Sequence, residues 1–308
     1  MNLTEKQQTL KRVEEMNIEH DRYKQIHEML DALRPDSSLG NYKYQAKHLF
    51  IFGESGSGKT TLVQRYAEKF PSYDAEIDNE GTVASIKPVV VADFPNPFTI
   101  VEFYQTIVRA LGAPQQMRSR IGDVKRQVFT LLREQRVEML ILDEANSILS
   151  GRYVKLNEAM EAIKHVSNMV NVSIVMVGTP ESRQLVEQNF QYFRRFPSVE
   201  LQRFEKCDEE FCNLLKSIDE QISPLKPIGL GDPNTLLPEV LHHMSGGLLG
   251  ALTPILQFAY RKMLAVGGTD TLADRRLLIS ALEFAQRAIL GDDEEKFTKM
   301  LHRSEMSK

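Results

Sequence analysis

The segment from His48 to Thr61, HLFIFGESGSGKTT, constrains this chain more than any other stretch. An apolar run, Leu49 to Phe52, leads into G-x-x-x-x-G-K-T, the phosphate-binding P-loop. A helical pattern follows from Thr61 to Phe70, and a strand before the loop with a helix after it is the context that the motif requires. Glycines allow a tight turn whose N–H groups point toward one anion, and a helix N-terminus favours negative charge. The segment therefore predicts a nucleotide-phosphate site between a strand and a helix.

The residue types of the loop have separate roles at that site. Lys59 supplies a cation for the β- and γ-phosphates, and Thr60 supplies a hydroxyl ligand for Mg²⁺. ATP and Mg²⁺ are therefore the expected ligands. The predicted nucleotide-binding residues of the loop are Gly53, Glu54, Ser55, Gly56, Ser57, Gly58, Lys59, Thr60 and Thr61.

A second nucleotide element is EMLILDE, residues 138–144, in which four apolar residues precede Asp143 and Glu144. Asp143 is expected to join the nucleotide-binding set and to hold Mg²⁺ together with Thr60, directly or through water. Glu144 is expected to polarise the water that attacks the γ-phosphate. Many buried strands end in Asp, so this run indicates little alone and much beside a P-loop. The second carboxylate predicts hydrolysis as well as binding.

Composition and cysteine usage indicate a globular protein in a reducing compartment. The chain has 308 residues, room for about two domains, with 42% hydrophobic and 26% charged residues. Two cysteines, Cys207 and Cys212, cannot build a disulfide framework. We find no apolar run of about 18 residues and no apolar region at the N-terminus, which predicts a cytoplasmic protein without a membrane partner. The net charge of −4 neither indicates nor excludes a nucleic-acid partner, because binding to nucleic acid depends on a local basic face more than on the total charge.

Strands alternate with helices from Ala46 onward, which predicts a mainly parallel sheet covered on both faces. After about Glu205 only helical patterns follow. The apolar residues of the first 34 positions recur at helical spacing, which favours a helix packed on the core over a partner-docking arm. The predicted strands are 48–52, 87–93, 139–142, 172–177 and 198–201. The predicted regions are an N-terminal helical extension (1–40), an α/β nucleotide-binding core (41–205), a helical lid (206–290) and a charged C-terminal tail (291–308).

Two further stretches provide candidate catalytic residues. The fourth strand ends in VMVGTPE, and in the additional-strand class of P-loop ATPases this strand lies between the first and the third. Thr179 is therefore the candidate sensor of the γ-phosphate and attacking water, although a plain turn residue before Pro180 is the alternative. Arg194 and Arg195 lie just before the fifth strand, where an arginine finger is expected to complete a neighbour's site. Arg195 is the preferred finger, and a solvated basic pair is the alternative.

The stretches GESGSGKTT, EMLILDEA, VMVGTPE and FRRF, with HMSGGLLG in the lid, together resemble AAA+ ATPases. The likeness is greatest to the TniB/TnsC branch, the target-selection regulators of transposons, and covers about residues 40–290. It implies an α/β P-loop NTPase of the AAA+ type: a parallel five-stranded sheet flanked by helices, with a C-terminal helical lid. One departure is that Leu248, Leu249 and Gly250 stand where many AAA+ proteins place a sensor arginine, so we assign no lid residue to the γ-phosphate.

The resemblance implies a protein that binds ATP and forms a homo-oligomeric ring or filament on duplex DNA. It implies recruitment of a transposase and communication with a target-selector protein, with ATP hydrolysis releasing the assembly as a switch. Two alternatives stay open: a nucleotide-switched AAA+ interaction scaffold without DNA, and a helicase-loader or initiator-like DNA ATPase. We find no obvious helix-turn-helix domain after the lid, which argues against sequence-specific initiation.

A basic segment between Arg109 and Arg136 favours DNA independently of the resemblance. It contains seven basic residues, whereas its acids are only Asp123 and Glu134. Basic side chains on a loop or helix face give non-specific, salt-sensitive contacts to the DNA backbone. A solvated helical face is the alternative. The predicted DNA-contacting residues are Arg118, Arg120 and Lys125.

Overall fold

The structure is a computed structural model that describes residues 4–16, 20–35, 45–76, 81–114, 120–151, 154–223 and 226–290. The chain divides into two compact units. We call residues 22–54 and 59–201 the α/β unit, and residues up to 21, 55–58 and from 202 onward the helical unit. The tip of the P-loop, residues 55–58, is thus grouped with the helical unit. The unit boundary after Leu201 lies close to the predicted end of the nucleotide-binding core at residue 205, whereas the predicted N-terminal extension is shared between the units.

The α/β unit is built on a five-stranded sheet in which every pair of neighbours is parallel. The strands of the described residues are Leu49–Phe52 (β1), Tyr73–Glu76 (β2), Val83–Ile86 (β3), Val89–Asp93 (β4), Met139–Asp143 (β5), Ser173–Gly178 (β6) and Ser198–Glu200 (β7). The order of the five-stranded sheet is β4-β5-β6-β1-β7, which confirms the predicted parallel sheet and places the fourth predicted strand, β6, between β1 and β5. Strands β1, β5 and β6 are buried along their whole length, as helices on both faces require.

Strands β2 and β3 form a separate antiparallel hairpin that the sequence did not predict. Asp74 pairs with Ser85 and Glu76 with Val83, and these four side chains are exposed. Only Ile86 is buried in the two strands. The four residues of β2, Tyr-Asp-Ala-Glu, alternate in type, but the run is short and Tyr73 is exposed. The residues of β3, Val-Ala-Ser-Ile, do not alternate. The ribbon therefore lacks the sustained alternation with one buried face that identifies a strand in a sequence.

Helices flank the sheet and make up most of the other described residues. The helix Ile100–Ala110 shows why they form: the Thr99 hydroxyl accepts the Glu102 N–H at 3.2 Å, and the apolar stripe that follows is buried. The helices are Glu5–Glu14 (α1), Asp21–Asp31 (α2), Lys59–Glu68 (α3), Ile100–Ala110 (α4), Ile121–Glu134 (α5), Leu156–Val170 (α6), Gln184–Glu187 (α7), Phe190–Arg195 (α8), Glu209–Ile222 (α9), Leu237–Ser245 (α10), Leu249–Gly267 (α11) and Arg275–Leu290 (α12). None of the helices in the described ranges has both the length and the apolar character needed to cross a membrane.

Helix α2 packs against other elements of the α/β unit. This agrees with the prediction that the N-terminal helical residues pack on the core and are not a partner-docking arm. The Tyr66 hydroxyl of α3 donates a hydrogen bond of 2.8 Å to Asp31. Arg34 donates two bonds, of 2.8 and 2.5 Å, to the Glu138 carboxylate and covers the Phe70 ring at 3.7 Å. Helix α2 is therefore fixed to the helix that follows the P-loop.

The helical unit has a core of apolar residues from α9, α10, α11 and α12. Helix α9 is capped by Asp208, whose carboxylate accepts the Phe211 N–H at 3.1 Å. Between α10 and α11, Gly247 has a φ of +70°, and a Cβ there would overlap the Phe204 carbonyl. Only glycine fits this backbone, so the Gly-Gly stretch of the lid has a local structural reason.

Candidate nucleotide-binding and hydrolysis site

The carboxyl ends of β1, β5 and β6 bring the P-loop and two of the predicted catalytic residues, Glu144 and Thr179, to one edge of the sheet. Phe52 of β1 pairs with Gly178 of β6, and Leu142 of β5 pairs with Met176 of β6. Parallel strands in this register end side by side. The P-loop after β1, the carboxylates at the end of β5 and Thr179 after β6 therefore lie at the same edge, as the sequence predicted.

The P-loop turns through two glycines with left-handed backbone. Gly56 has a φ of +80° and Gly58 a φ of +98°, conformations that other residues adopt only with strain. Within the helical unit, the Gly56 carbonyl accepts the Gly250 N–H at 2.7 Å, and a Cβ at Gly250 would lie 2.9 Å from Gly56. Gly250 is one of the three lid residues that stand where many AAA+ proteins place a sensor arginine. Its lack of a side chain allows this close contact between the two backbones.

The side chain of Lys59, the first residue of α3, contacts the start of the P-loop. Its Nζ donates hydrogen bonds of 2.8 Å to the carbonyl oxygens of Gly53 and Glu54. Burial lowers the pKa of Lys59, and the nearby carboxylates, of which Asp143 acts most strongly and then Glu144, oppose that shift. An ammonium group that is held among carbonyls and carboxylates is placed to exchange these partners for phosphate oxygens.

Thr60 and Asp143 meet where the predicted Mg²⁺ ligands were expected. The Thr60 hydroxyl donates a hydrogen bond of 2.7 Å to Asp143 Oδ2, and Asp143 is only 3% exposed. Burial raises the pKa of Asp143, while the bonds from Thr60 and from the Glu144 N–H oppose the rise. Both side chains offer hard oxygen atoms, which Mg²⁺ prefers. The residues present therefore fit this ion.

Glu144 has an unusual backbone for a glutamate. Its φ of 59° and ψ of 41° are left-handed, a conformation that is strained for a residue with a Cβ. The Glu144 N–H donates to Asp143 Oδ1 at 2.7 Å, and its Oε2 accepts from Asn146 Nδ2 at 3.0 Å. The side chain is exposed at the sheet edge. Strain that is maintained by neighbouring bonds is frequent at functional sites, which agrees with the predicted role in polarising water.

Thr179 lies in a turn that packs closely on the turn after Glu144. A Cβ at Gly178 would overlap Ser182 and lie 3.0 Å from the Ala145 methyl group, so glycine allows the two turns to meet. The Thr179 hydroxyl is bonded to the Glu181 carboxylate, and this bond lowers the pKa of Glu181. Sequence reasoning missed Glu181, whose carboxylate also acts on Lys59. The acidic residue two positions after the sensor was visible in GTPE, but its contact depends on the turn.

The two candidate finger arginines have different surroundings. Arg195 Nη2 donates to Asn168 Oδ1 at 2.6 Å and to Ser167 Oγ at 3.3 Å, and burial lowers the pKa of Arg195. Arg194 is exposed, with its guanidinium 5.9 Å from the ring centroid of Phe190, which is 73% exposed. Arg195 is thus bound inside the α/β unit, while Arg194 faces outward.

Both arginines line a cavity of about 620 Å³ at the amino ends of β1, β6 and β7. Lys47 and His48 also line it. His48 Nδ1 accepts the Ile174 N–H at 3.0 Å, and its ring stacks on Phe196. Burial, and then the charge of Arg195, lower the pKa of His48 to about 4, so the ring is neutral near pH 7. The positive charge of the cavity therefore comes from Lys47, Arg194 and Arg195.

The basic segment lies on α5 and the residues before it. Arg120 is exposed and precedes α5 without capping it through its side chain. Lys125 is half-buried, with Nζ 5.3 Å from the centroid of the Tyr104 ring. Arg118 lies outside the described residues. Arg120 is thus the more accessible of the two described candidates.

The sheet order, the P-loop and the acidic end of β5 define a P-loop NTPase of the AAA+ type with C-terminal helices. Solved structures with this fold include the ORC2 protein of Aeropyrum pernix in ADPNP–ADP complexes, with a TM-score of 0.55 and 17% identity over 86% of this chain and 67% of that one. A Walker-type ATPase of Pyrococcus abyssi has a TM-score of 0.52 and 15% identity over 92% and 76%. The ORC1 protein of Aeropyrum pernix in complex with DNA has a TM-score of 0.51 and 15% identity over 93% and 66%.

These likenesses show the fold, and the chain spans about two thirds of the length of the two ORC proteins. No curated protein matches the chain. The family described as Bacterial TniB protein matches residues 12–206, well over half of the sequence. The chain therefore belongs to the TniB family, as the resemblance of its motifs indicated.

Proposed function

We propose that this protein is an ATPase that assembles on duplex DNA in its ATP-bound form and regulates transposition. Hydrolysis acts as the switch that ends the assembly. The observation that carries the proposal is the meeting of Lys59, the Thr60–Asp143 pair, Glu144 and Thr179 at one sheet edge in a TniB-family chain. The partners are a transposase, a target-selector protein and further copies of this chain.

The proposed chemistry is attack by water on the γ-phosphate in line with the leaving ADP. Lys59 neutralises the charge that develops on the phosphate oxygens, and Glu144 orients the water and receives its proton. Thr179, which is bonded to the Glu181 carboxylate, follows β6, and β6 lies between the strands that precede Lys59 and Glu144. Thr179 is therefore placed to orient the same water molecule as Glu144. Thr60 and Asp143 would hold Mg²⁺, which supplies further neutralisation of phosphate charge when it is bound.

In the proposed assembly, the exposed Arg194 of one subunit acts on the nucleotide of the next subunit. Arg194 lies at the amino ends of the strands, whereas Lys59 and Glu144 lie at the carboxyl ends. A strand of four residues separates these edges by about 13 Å. Arg194 is therefore suited to the nucleotide of an adjacent subunit and not to its own, and we assign the arginine finger to it.

Duplex DNA is proposed to contact the basic segment through its phosphates. The DNA complex of the ORC1 protein, which shares the fold, supports a nucleic-acid role, as does the exposure of Arg120. We expect binding to a fluorescent duplex, measured with a non-hydrolysable ATP analogue, to weaken steeply with salt. Arg120→Ala should reduce the magnitude of the slope of log K against log salt by about one. Lys125→Ala should have a smaller effect, because the Lys125 ammonium group already lies over the Tyr104 ring.

Lys206→Ala is the matched control, since Lys206 is an exposed cation outside the basic segment. Its salt slope should equal that of the wild type. No duplex binding, or binding that ignores salt, would contradict the DNA assignment and favour a nucleotide-switched scaffold. Strong preference for one duplex sequence over others would instead favour an initiator-like ATPase.

A further inference from the structure

We propose that Asn146 is a positioning residue that holds the Glu144 carboxylate in one orientation toward the attacking water. The Nδ2 group of Asn146 donates a hydrogen bond of 3.0 Å to Glu144 Oε2. The inference rests on the proposed hydrolysis and adds a residue to its machinery. Asn146 itself contacts neither phosphate nor water in this assignment, and it acts through Glu144.

Two bonds on either side of the Glu144 side chain define its direction. The backbone N–H is bound to Asp143 Oδ1 at 2.7 Å, which fixes the start of the side chain. The Asn146 amide binds Oε2, which fixes its end. A glutamate that is exposed and has no such bond samples many rotamers. With Oε2 held, Oε1 remains as the oxygen that can accept a proton from water.

Asn146 can act as a fixed point because the turn that carries it is anchored. It belongs to a short 3₁₀ turn, Ala145–Ile148, in which Ala145, Ser147 and Ile148 are buried. The Ser147 N–H donates to the Glu144 carbonyl at 2.9 Å, and the Leu149 N–H donates to the Asn146 carbonyl at 3.0 Å. The left-handed backbone of Glu144 starts this turn. The donor and the acceptor therefore belong to one rigid local structure.

The close approach of β6 extends that rigidity to the second water-positioning residue. Ala145, next to Asn146 in the turn, lies against Gly178 at the end of β6. Thr179 follows directly and is held by Glu181. The Asn146–Glu144 bond thus fixes one of two side chains that must converge on the same water molecule. A displacement of about 1 Å in a group that positions a reactant lowers the rate of the chemical step on the order of 100-fold.

The test replaces Asn146 by leucine, which has a similar volume and no donor. We expect Asn146→Leu to lower kcat for ATP hydrolysis by about 10- to 100-fold, with KM and the affinity for a fluorescent ATP analogue unchanged. Asn146→Gln keeps a carboxamide and should recover part of the rate. Asn157→Leu, at an exposed position early in α6, is the matched control and should hydrolyse ATP as the wild type does.

A double-mutant cycle with Glu144→Ala, which removes the acceptor of the Asn146 bond, separates positioning from folding. If Asn146 acts through Glu144, then Asn146→Leu lowers the residual single-turnover rate of Glu144→Ala less than twofold. An equal loss in both backgrounds, weaker binding of the ATP analogue, or wild-type hydrolysis by Asn146→Leu would overturn the positioning role while the proposed function stands. Wild-type hydrolysis by Glu144→Gln itself would instead show that the proposed base is wrong, and the inference would fail with it.

Discussion

Replacing Glu144 by glutamine is expected to lower kcat for ATP hydrolysis by about 10²- to 10⁴-fold while ATP binding persists. The glutamine keeps the shape of the side chain and can still meet Asn146, but it cannot accept a proton from water. Lys59, Thr60 and Asp143 are unchanged, so the phosphate and Mg²⁺ ligands remain. Phosphate release gives the rate, and a fluorescent ATP analogue gives the affinity. The variant should also accumulate long-lived ATP-bound assemblies, because the switch that ends them is lost.

Glu158→Gln is the control for this change, since it removes an exposed carboxylate from the first turn of α6 at a position outside the site. Its hydrolysis rate should be normal. If Glu144→Gln hydrolysed ATP at the normal rate, the general-base role would be wrong. Glu181 would then be the next carboxylate to test, because it lies within electrostatic reach of Lys59.

Replacing Arg194 by alanine is expected to lower kcat of the assembled protein by about 10³-fold or more, the range found for arginine fingers. Arg194 is exposed and lies at the amino ends of the strands, opposite to its own Lys59 at the carboxyl ends. In the proposed assembly its charge therefore acts on a neighbour's nucleotide. The affinity of a single subunit for ATP should not change. Hydrolysis measured against protein concentration, in the presence of DNA and ATP, checks both statements.

Mixing two inactive variants tests whether Arg194 acts between subunits. Lys59→Ala loses its own nucleotide site but keeps Arg194, whereas Arg194→Ala has the reverse defect. A mixture should recover part of the activity, because some interfaces combine an intact site with an intact finger. Absence of recovery in mixed assemblies would argue against action between subunits.

Arg195→Ala distinguishes the two adjacent arginines. Its guanidinium is bound to Asn168, so its removal should mainly lower the free energy of unfolding, by about 1–3 kcal/mol for a hydrogen-bonded charged group that is partly buried. If Arg195→Ala instead lost hydrolysis in assemblies and Arg194→Ala did not, the arginine finger would be Arg195, the residue that the sequence analysis preferred.

The catalytic edge could be predicted from sequence because the motif places its residues at strand ends. Parallel strands bring such ends together whatever the details of packing, so the sequence was sufficient to predict that Lys59, Asp143, Glu144 and Thr179 lie at one edge. The roles of Arg194 and Arg195 could not be separated in this way. They are adjacent, and only the end of α8 decides which of them reaches Asn168.

The supporting residues were missed for a related reason. Asn146 and Glu181 contact the predicted residues through turns of unusual geometry, including a left-handed glutamate that a sequence pattern does not indicate. The β2–β3 hairpin was missed because each strand has only four residues and buries little, and because the residues of β3 do not alternate between apolar and polar types. The contact between Gly56 and Gly250 joins residues far apart in the sequence, and neither motif alone predicts it.

Negative-stain imaging of the full chain tests ATP-dependent assembly on DNA most directly. The protein is imaged with a non-hydrolysable ATP analogue, with duplex DNA and without it, and with DNA alone. The proposed function predicts rings or filaments that form only when nucleotide and duplex are both present. Oligomers that form with the nucleotide alone and are unaffected by DNA would contradict it, leaving an ATPase that acts as a protein-interaction scaffold.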